Sequence, residues 1–287
     1  MTEEQGEAGA RPQSLMLTFL GDYLYETEQC VFSGSVIDVL ERLGVSEHAT
    51  RSTLTRMVNR GLLHRQKHGR RMYFGLTSRA VEILRDGYTR IWRTGAVNDD
   101  WDGTWTLLGF SLPEAWQRQR HDLRSQLVWA GFGPLQGGLW IAPGHVAVED
   151  IVASLGLAAH VRVFRATVDE LTDVAQLVGD AYDLIPIAAG YRAFLDRWTD
   201  SPPYPQDPLA AHLSIVTEWL RVIRRDPRLP VRHLPEYWPA IAAQKAFRDI
   251  EGRLAGSASE LAKGLLDTLS GPPVSGLSEQ RRELGHE

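Results

Sequence analysis

A basic stretch that lacks acidic residues constrains this chain more than any other feature. Between His48 and Met72 there are seven arginine and lysine side chains and no aspartate or glutamate. Residues 42–93 carry +9 and the rest of the 287-residue chain carries −14, so the formal net charge of −5 hides a segregated distribution. An exposed surface usually carries both positive and negative side chains, so a stretch with only positive ones indicates a negatively charged partner such as DNA.

The residues around this stretch follow the order helix, turn, helix. Apolar spacing predicts helices over residues 15–24 and 36–43, the second ending at Gly44. A third helix is predicted from Ser46, a favourable N-cap, to Arg60. One arc of this third helix is apolar and the opposite arc carries hydrogen-bond donors, as a recognition helix requires. A solvated helix face is the alternative interpretation.

A hairpin is predicted directly after the third helix. Two β-prone runs, residues 62–66 and 71–76, flank a cationic tip that contains Gly69. Together these elements predict a winged helix-turn-helix, with the helix in the major groove and the wing along the backbone or the minor groove. The candidate DNA-binding residues are Arg51, Ser52, Thr55, Arg56, Asn59, Arg60, Lys67, His68, Arg70, Arg71 and Tyr73. A winged-helix protein-interaction module without sequence-specific DNA binding is the alternative.

The whole pattern predicts an α+β multidomain chain. Residues 1–96 form the winged helix-turn-helix domain with a linker helix over 77–93, and residues 97–176 form a ferredoxin-like βαββαβ domain. That domain has strands at 105–111, 134–136, 138–143 and 160–166, and helices at 113–130 and 148–155. Residues 177–270 are mostly α-helical, with a final helix to Leu269, and residues 271–287 form a flexible tail.

Several classes of protein do not match the sequence. No apolar run approaches the ~20 residues of a membrane-spanning helix and no signal-peptide pattern occurs, so we expect a cytoplasmic protein without a membrane partner. Cys30, the single cysteine, forms no internal disulfide. The sequence has no phosphate-binding loop, metal cluster or nucleophile elbow, so we predict no enzyme, no cofactor and no metal.

Motifs in three blocks together resemble the PaaX-like transcriptional repressors of phenylacetate catabolism. The first block comprises Leu20-Gly21-Asp22-Tyr23, Gly44-Val45-Ser46-Glu47, Arg51, Arg56, Gly61-Leu62-Leu63, Gly69-Arg70-Arg71 and Tyr73. The second comprises residues 105–111, Arg120, Leu123-Arg124, Gly131-Phe132-Gly133 and Gly138-Leu139-Trp140. The third comprises Tyr182-Asp183-Leu184, Tyr191, Phe194, residues 226–230, Leu234-Pro235 and Trp238-Pro239. The chain departs from the family pattern at Leu62, often Trp, and at Ala240, where Gly is expected.

The resemblance implies a homodimeric repressor that binds double-stranded operator DNA and is released by a small-molecule effector, an aryl-CoA thioester such as phenylacetyl-CoA. The two-fold symmetry of such a dimer predicts a roughly palindromic operator. An aryl-CoA ligand calls for aromatic walls and cations. By residue type the candidates are Trp140, Tyr191, Arg192, Trp198 and Trp219, and the alternative is that the aromatic residues fill cores.

A metal-dependent nuclease is the enzymatic alternative. Ferredoxin-like domains similar to the predicted central one occur in CRISPR-adaptation nucleases, whose metal-binding acid lies at the end of the first strand. The strand over residues 105–111 contains no aspartate or glutamate, so the sequence favours a regulator.

Overall fold

The amino-terminal part of the chain folds as helices followed by a hairpin. The structure, a computed structural model, describes residues 11–25, 27–200 and 202–274. The first elements are α1 (Pro12–Leu24), β1 (Gln29–Phe32), α2 (Ser33–Arg42), α3 (Glu47–Asn59), β2 (Leu63–His68), β3 (Arg71–Leu76) and α4 (Ser78–Tyr88). The three helices and the hairpin lie close to the predicted positions. Strand β1 was not predicted, and α4 ends before Arg93 in a π-helical turn.

The central part contains four strands and two helices. They are β4 (Thr104–Phe110), α5 (Gln117–Trp129), β5 (Gly133–Gln136), β6 (Leu139–Pro143), α6 (Glu149–Ser154) and β7 (Val161–Thr167). The predicted start of the first helix at Pro113 is wrong. Residues 113–116 form a turn in which the Trp116 N–H donates to the Pro113 carbonyl at 3.0 Å, and α5 begins after it.

The carboxy-terminal part is mostly helical. Its elements are α7 (Val174–Ala181), α8 (Leu184–Leu195), α9 (Pro208–Ile223), α10 (Pro239–Leu265) and β8 (Thr268–Ser270). The predicted final helix to Leu269 is wrong in its end, because the chain leaves α10 after Leu265 and becomes extended. The predicted tail beyond Val274, and residues 1–10 of the predicted first domain, lie outside the described residues.

The strands form two antiparallel sheets, so the chain is a mixed α+β protein. One sheet has the order β2-β3-β1-β8, in which Cys30 of β1 lies opposite Gly75 on one side and Leu269 on the other. The second sheet has the order β5-β6-β4-β7. The first sheet therefore joins strands from both ends of the described chain.

These elements are grouped in two compact units, each made of separated segments. The first unit contains residues 1–93, 196–220 and 246–287, and the second contains 94–195 and 221–245. The division into three consecutive domains stays a prediction. Within the described ranges, no helix has an apolar stretch long enough to span a bilayer.

Each unit has its own core. The core of the first unit brings Leu54 and Met57 of α3 together with Leu213 of α9 and Ala258 of α10. In the second unit α5 and α6 cover one face of the sheet, and α7 covers the other face with Val178, which packs in one cluster with Trp105 and Ile141. Burying these apolar faces gives the main driving force for folding.

Candidate nucleic-acid interface

Helix α3 has one buried face and one exposed face. Thr50, Thr53, Leu54 and Met57 are buried and fix the helix on the core of the first unit. Among the predicted contact residues on α3 and at its C-cap, Ser52 is half-buried and five are exposed, namely Arg51, Thr55, Arg56, Asn59 and Arg60. The arrangement therefore presents donors along one side of a rigid helix.

The start of α3 is set by the residues that precede it. The Ser46 hydroxyl oxygen accepts a hydrogen bond from the Ala49 N–H at 3.3 Å, as an N-cap does. Gly44 has a φ of 77°, which lets the chain leave α2 and turn into α3. A tight turn thus separates the two helices.

Two arginines of α3, and Arg60 at its C-cap, already have partners within the protein. Arg51 pairs with Glu47 at 2.7 Å, Arg56 donates to the Thr53 hydroxyl at 3.0 Å and Arg60 donates to the Gln13 side chain at 3.0 Å. The exposed predicted contact residues of α3, its C-cap and the hairpin are called the basic face below, namely Arg51, Thr55, Arg56, Asn59, Arg60, Lys67, His68, Arg70 and Arg71. Glu47 lies just before the acid-free stretch, so the basic face has one acid at its edge. An exposed ion pair such as Arg51–Glu47 contributes about 0–1 kcal/mol, so a phosphate or base edge can replace it.

The hairpin presents its cations at its tip. His68 lies opposite Arg71, and the two-residue turn between them uses Gly69 with a φ of 59°. Lys67, His68, Arg70 and Arg71 are all exposed. Four of the five predicted wing residues therefore face solvent.

The fifth wing residue, Tyr73, is buried. Its hydroxyl donates to the two carboxylate oxygens of Asp267 at 3.1 and 3.2 Å. The Arg71 guanidinium also binds Asp267, and its Cζ lies 5.0 Å from the centre of the Phe32 ring. The hydrogen bond with the Tyr73 hydroxyl and the Asp267 carboxylate raise the pKa of Arg71. Tyr73 thus has a supporting position rather than an exposed one.

Burial lowers the pKa of one histidine in the same sheet. His64 of β2 is half-buried, and desolvation favours its neutral form. Burial also raises the pKa of the Cys30 thiol, whose sulfur donates to the Gln66 side chain at 3.3 Å. These two groups therefore add no charge to the basic face at neutral pH.

The predicted effector residues are divided between the two units. Trp140, Tyr191 and Arg192 belong to the second unit, and Trp198 and Trp219 belong to the first. The four aromatic residues are buried. The Tyr191 hydroxyl donates to the Asp226 carboxylate, and the Trp198 indole N–H donates to the Glu218 carboxylate at 3.0 Å. Trp219 stacks on Phe247, and Trp140 lies in the core of the central sheet. Arg192 is exposed. The structure places the aromatic residues in cores, and their role toward an effector stays a prediction.

Across residues 11–25, 27–200 and 202–274, no three histidine, cysteine or acidic side chains are arranged so that they could hold one metal ion.

Family comparisons cover most of the chain. A model described as PaaX-like protein matches residues 11–80, the model of the PaaX protein central Cas2-like domain matches 98–178, and that of the PaaX-like C-terminal domain matches 182–264. The chain belongs to the PaaX-like family.

Two individual proteins are similar to this chain. The transcriptional repressor PaaX of Escherichia coli K12 is 28% identical over 260 residues, which cover 85% of this chain and 81% of that protein. The solved structure of the uncharacterized protein Rv0674 from Mycobacterium tuberculosis aligns with a TM-score of 0.61 at 23% identity, over 88% of this chain and 99% of that one. The second match concerns the fold alone.

The PaaX-like family matches include the whole basic face but omit one residue that contacts it. The first matched segment contains α3 and the hairpin, whereas Asp267 follows the end of the last matched segment at residue 264. Asp267 was not among the predicted site residues. It is 196 positions from Arg71, so no local pattern pointed to it.

Proposed function

We propose that this chain is a transcriptional repressor that binds double-stranded DNA through a winged helix-turn-helix formed by α1 to β3. The observation that carries the proposal is the row of exposed donors on α3 beside the cationic hairpin tip. The E. coli relative is named as a transcriptional repressor, which supports a regulator rather than an enzyme.

In this proposal α3 lies in the major groove and the hairpin follows the backbone or the minor groove. Arg51 and Arg56 bind guanine edges or phosphates, and Asn59 is suited to adenine. The hairpin cations contact the phosphates or enter the minor groove, where a narrow groove strengthens the negative potential. The residues outside 42–93 carry a net charge of −14, so only the basic face attracts DNA. This asymmetry orients the protein on its site.

Substitution of the α3 arginines tests the DNA-binding proposal. We expect Arg51→Ala and Arg56→Ala each to weaken binding to DNA from upstream of the protein's own coding sequence by about 1–3 kcal/mol, if each contacts a base. The matched control is Arg118→Ala, which removes an arginine that is 92% exposed on α5 and should leave the affinity unchanged.

The affinity should also fall steeply with salt, because each phosphate contact adds about −0.9 to the slope of log K against log salt. Binding that resists salt, or that survives both α3 substitutions, would favour the protein-interaction module instead.

We also propose that the central part has a ferredoxin-like fold. Its sheet order β5-β6-β4-β7 and its element sequence βαββαβ support this.

We propose further that the protein acts as a homodimer in which two copies of α3 read the half-sites of a palindromic operator. Analytical ultracentrifugation, with and without operator DNA, measures this stoichiometry.

Release by an aryl-CoA thioester is the remaining part of the proposed function. An effector releases the repressor only if it binds the DNA-free form more tightly than the DNA-bound form. A gel-shift titration with phenylacetyl-CoA, other acyl-CoA thioesters and the free acids tests this. We expect at least one aryl-CoA to dissociate the complex, and a complex that persists with every compound would contradict ligand relief.

A further inference from the structure

The fourth strand of the first sheet connects the end of α10 to the hairpin. Strand β8 pairs antiparallel with β1, which in turn pairs with β3 of the hairpin. The backbone at Asp267 is fixed on both sides: its N–H donates to the Ser35 hydroxyl at 3.1 Å and its carbonyl accepts from the Phe32 N–H at 2.9 Å. The Ser35 hydroxyl also donates to the Leu265 carbonyl at 2.8 Å. The position of the Asp267 side chain is therefore set by the fold.

This carboxylate contacts the hairpin at two alternate positions of β3. Arg71 and Tyr73 are two residues apart, so their side chains lie on one face of the strand, and both bind Asp267. The Phe32 ring lies under the Arg71 guanidinium and 5.6 Å from the Tyr73 ring. An acid from a distant part of the chain thus contacts a stretch that has no acid of its own.

Arg71 keeps donors for a second partner while Asp267 holds it. A guanidinium has five N–H groups in a rigid plane, and Nη1 faces the carboxylate. The side chain is still 60% exposed. An arginine that is already ordered loses less conformational freedom when it binds a phosphate than a free one does.

We propose that Asp267 is a positioning residue for DNA binding, which holds Arg71 and Tyr73 so that the hairpin presents Arg71 to a DNA phosphate. This inference rests on the proposed DNA-binding function. Asp267 acts through Arg71 and makes no contact with DNA itself. Its effect on affinity therefore depends on the presence of Arg71.

A double-mutant cycle tests the proposal. Binding to the upstream DNA duplex is measured by fluorescence anisotropy for the wild type, Asp267→Ala, Arg71→Ala and the double variant. We expect Asp267→Ala to weaken binding by about two- to tenfold, which is the effect of leaving one flexible side chain unordered, and to have no further effect when Arg71 is already alanine. Glu260→Ala is the matched control, because it removes an exposed acid of α10 that is paired with Lys263.

A second variant separates position from charge. Asp267→Glu keeps the negative charge and displaces the carboxylate by one methylene, so positioning predicts weaker binding and circular dichroism should show an intact fold. Tighter binding by Asp267→Ala would overturn the proposal, because the acid would then only repel phosphates. Equal weakening by Asp267→Ala with and without Arg71 would also overturn it.

The two proposals fail in different ways. If the wild type does not bind DNA in a salt-dependent manner, both the proposed function and the role of Asp267 are wrong. If the wild type binds DNA and Arg51→Ala weakens that binding, but the double-mutant cycle shows no coupling between Asp267 and Arg71, only the role of Asp267 is wrong.

Discussion

At the scale of single residues, a histidine between two acids connects three helices of the first unit. His212 of α9 lies 3.6 Å from Asp22 of α1 and 3.1 Å from Glu251 of α10, and all three side chains are at most 21% exposed. Burial raises the pKa of Asp22 to about 7; the nearby His212 lowers it and Glu251 raises it further. The carboxyl is therefore easier to protonate in the folded protein than in the unfolded chain.

This shift predicts a pH-dependent stability. Below pH 3.8, the pKa of Asp22 in the unfolded chain, the carboxyl is protonated in both the folded and the unfolded state. As the pH rises from 3.8 toward 7, the unfolded chain releases this proton while the folded protein keeps it, so the free energy of unfolding falls. Asp22→Asn has no carboxyl to titrate, so we expect it to lack this pH dependence. Between pH 5 and pH 8 the free energy of unfolding of the wild type should fall by at least about 1 kcal/mol relative to that of the variant, since one pKa unit corresponds to about 1.36 kcal/mol.

Urea unfolding at the two pH values measures the difference. Asp38→Asn, which changes an exposed acid of α2, is the matched control. Parallel pH profiles of the wild type and Asp22→Asn would contradict the prediction.

At the scale of secondary-structure elements, α7 packs on the central sheet where β5 begins. The Tyr182 hydroxyl, just after α7, donates to the carbonyls of Ile141 at 2.6 Å and Gly131 at 3.1 Å. A Cβ on Gly133 would lie 2.4 Å from the Ala181 carbonyl oxygen and 2.9 Å from the Tyr182 ring. The absence of a side chain at residue 133 therefore sets the distance between the helix and the strand.

Two glycine substitutions test this packing. Gly133→Ala should destabilise the protein by about 1–3 kcal/mol or more, because the backbone of α7 must move. Gly179→Ala, on the exposed side of α7 with nothing within 4 Å, is the matched control and should stabilise by up to about 1 kcal/mol. Thermal unfolding measures both changes, and equal melting temperatures for the two variants would disprove the role of Gly133.

The elements differ in how far the sequence predicts them. Helix α3 and the hairpin follow from signals within a few residues, namely the Ser46 cap, the apolar arc and Gly69. Strands β1 and β8 have four and three residues, too few for a periodic pattern, and each is extended because it pairs with a strand that is distant in sequence. Asp267 was missed for the same reason, since its partners are known only once β8 is in the sheet.

At the scale of the whole molecule, both ends of the described chain contribute to the first unit. Leu209 and Leu213 of α9, and Ala258 and Ala262 of α10, are buried in the same core as the helices that precede the hairpin. The part of the protein that we propose binds DNA is therefore stabilised by residues that follow the central sheet.

Truncation tests this dependence. A chain that stops after Leu266 loses β8, so we expect a lower melting temperature of the first unit, by about 2–4 °C for each kcal/mol lost. A chain that stops after Val274 keeps β8 and the contact of Val274 with the core, and it should melt at a higher temperature than the shorter chain. Identical melting of both truncated chains would show that β8 contributes nothing to stability.

The pairing of β8 with β1 also has a consequence for the time course of synthesis. Arg71 leaves the ribosome 196 residues before Asp267, which is about 10–40 s at a translation rate of about 5–20 residues per second. During that interval the nascent hairpin has its arginine without its carboxylate partner, and the edge of β1 that later pairs with β8 is unpaired. An incomplete chain thus carries the basic face before the strand that completes its sheet exists.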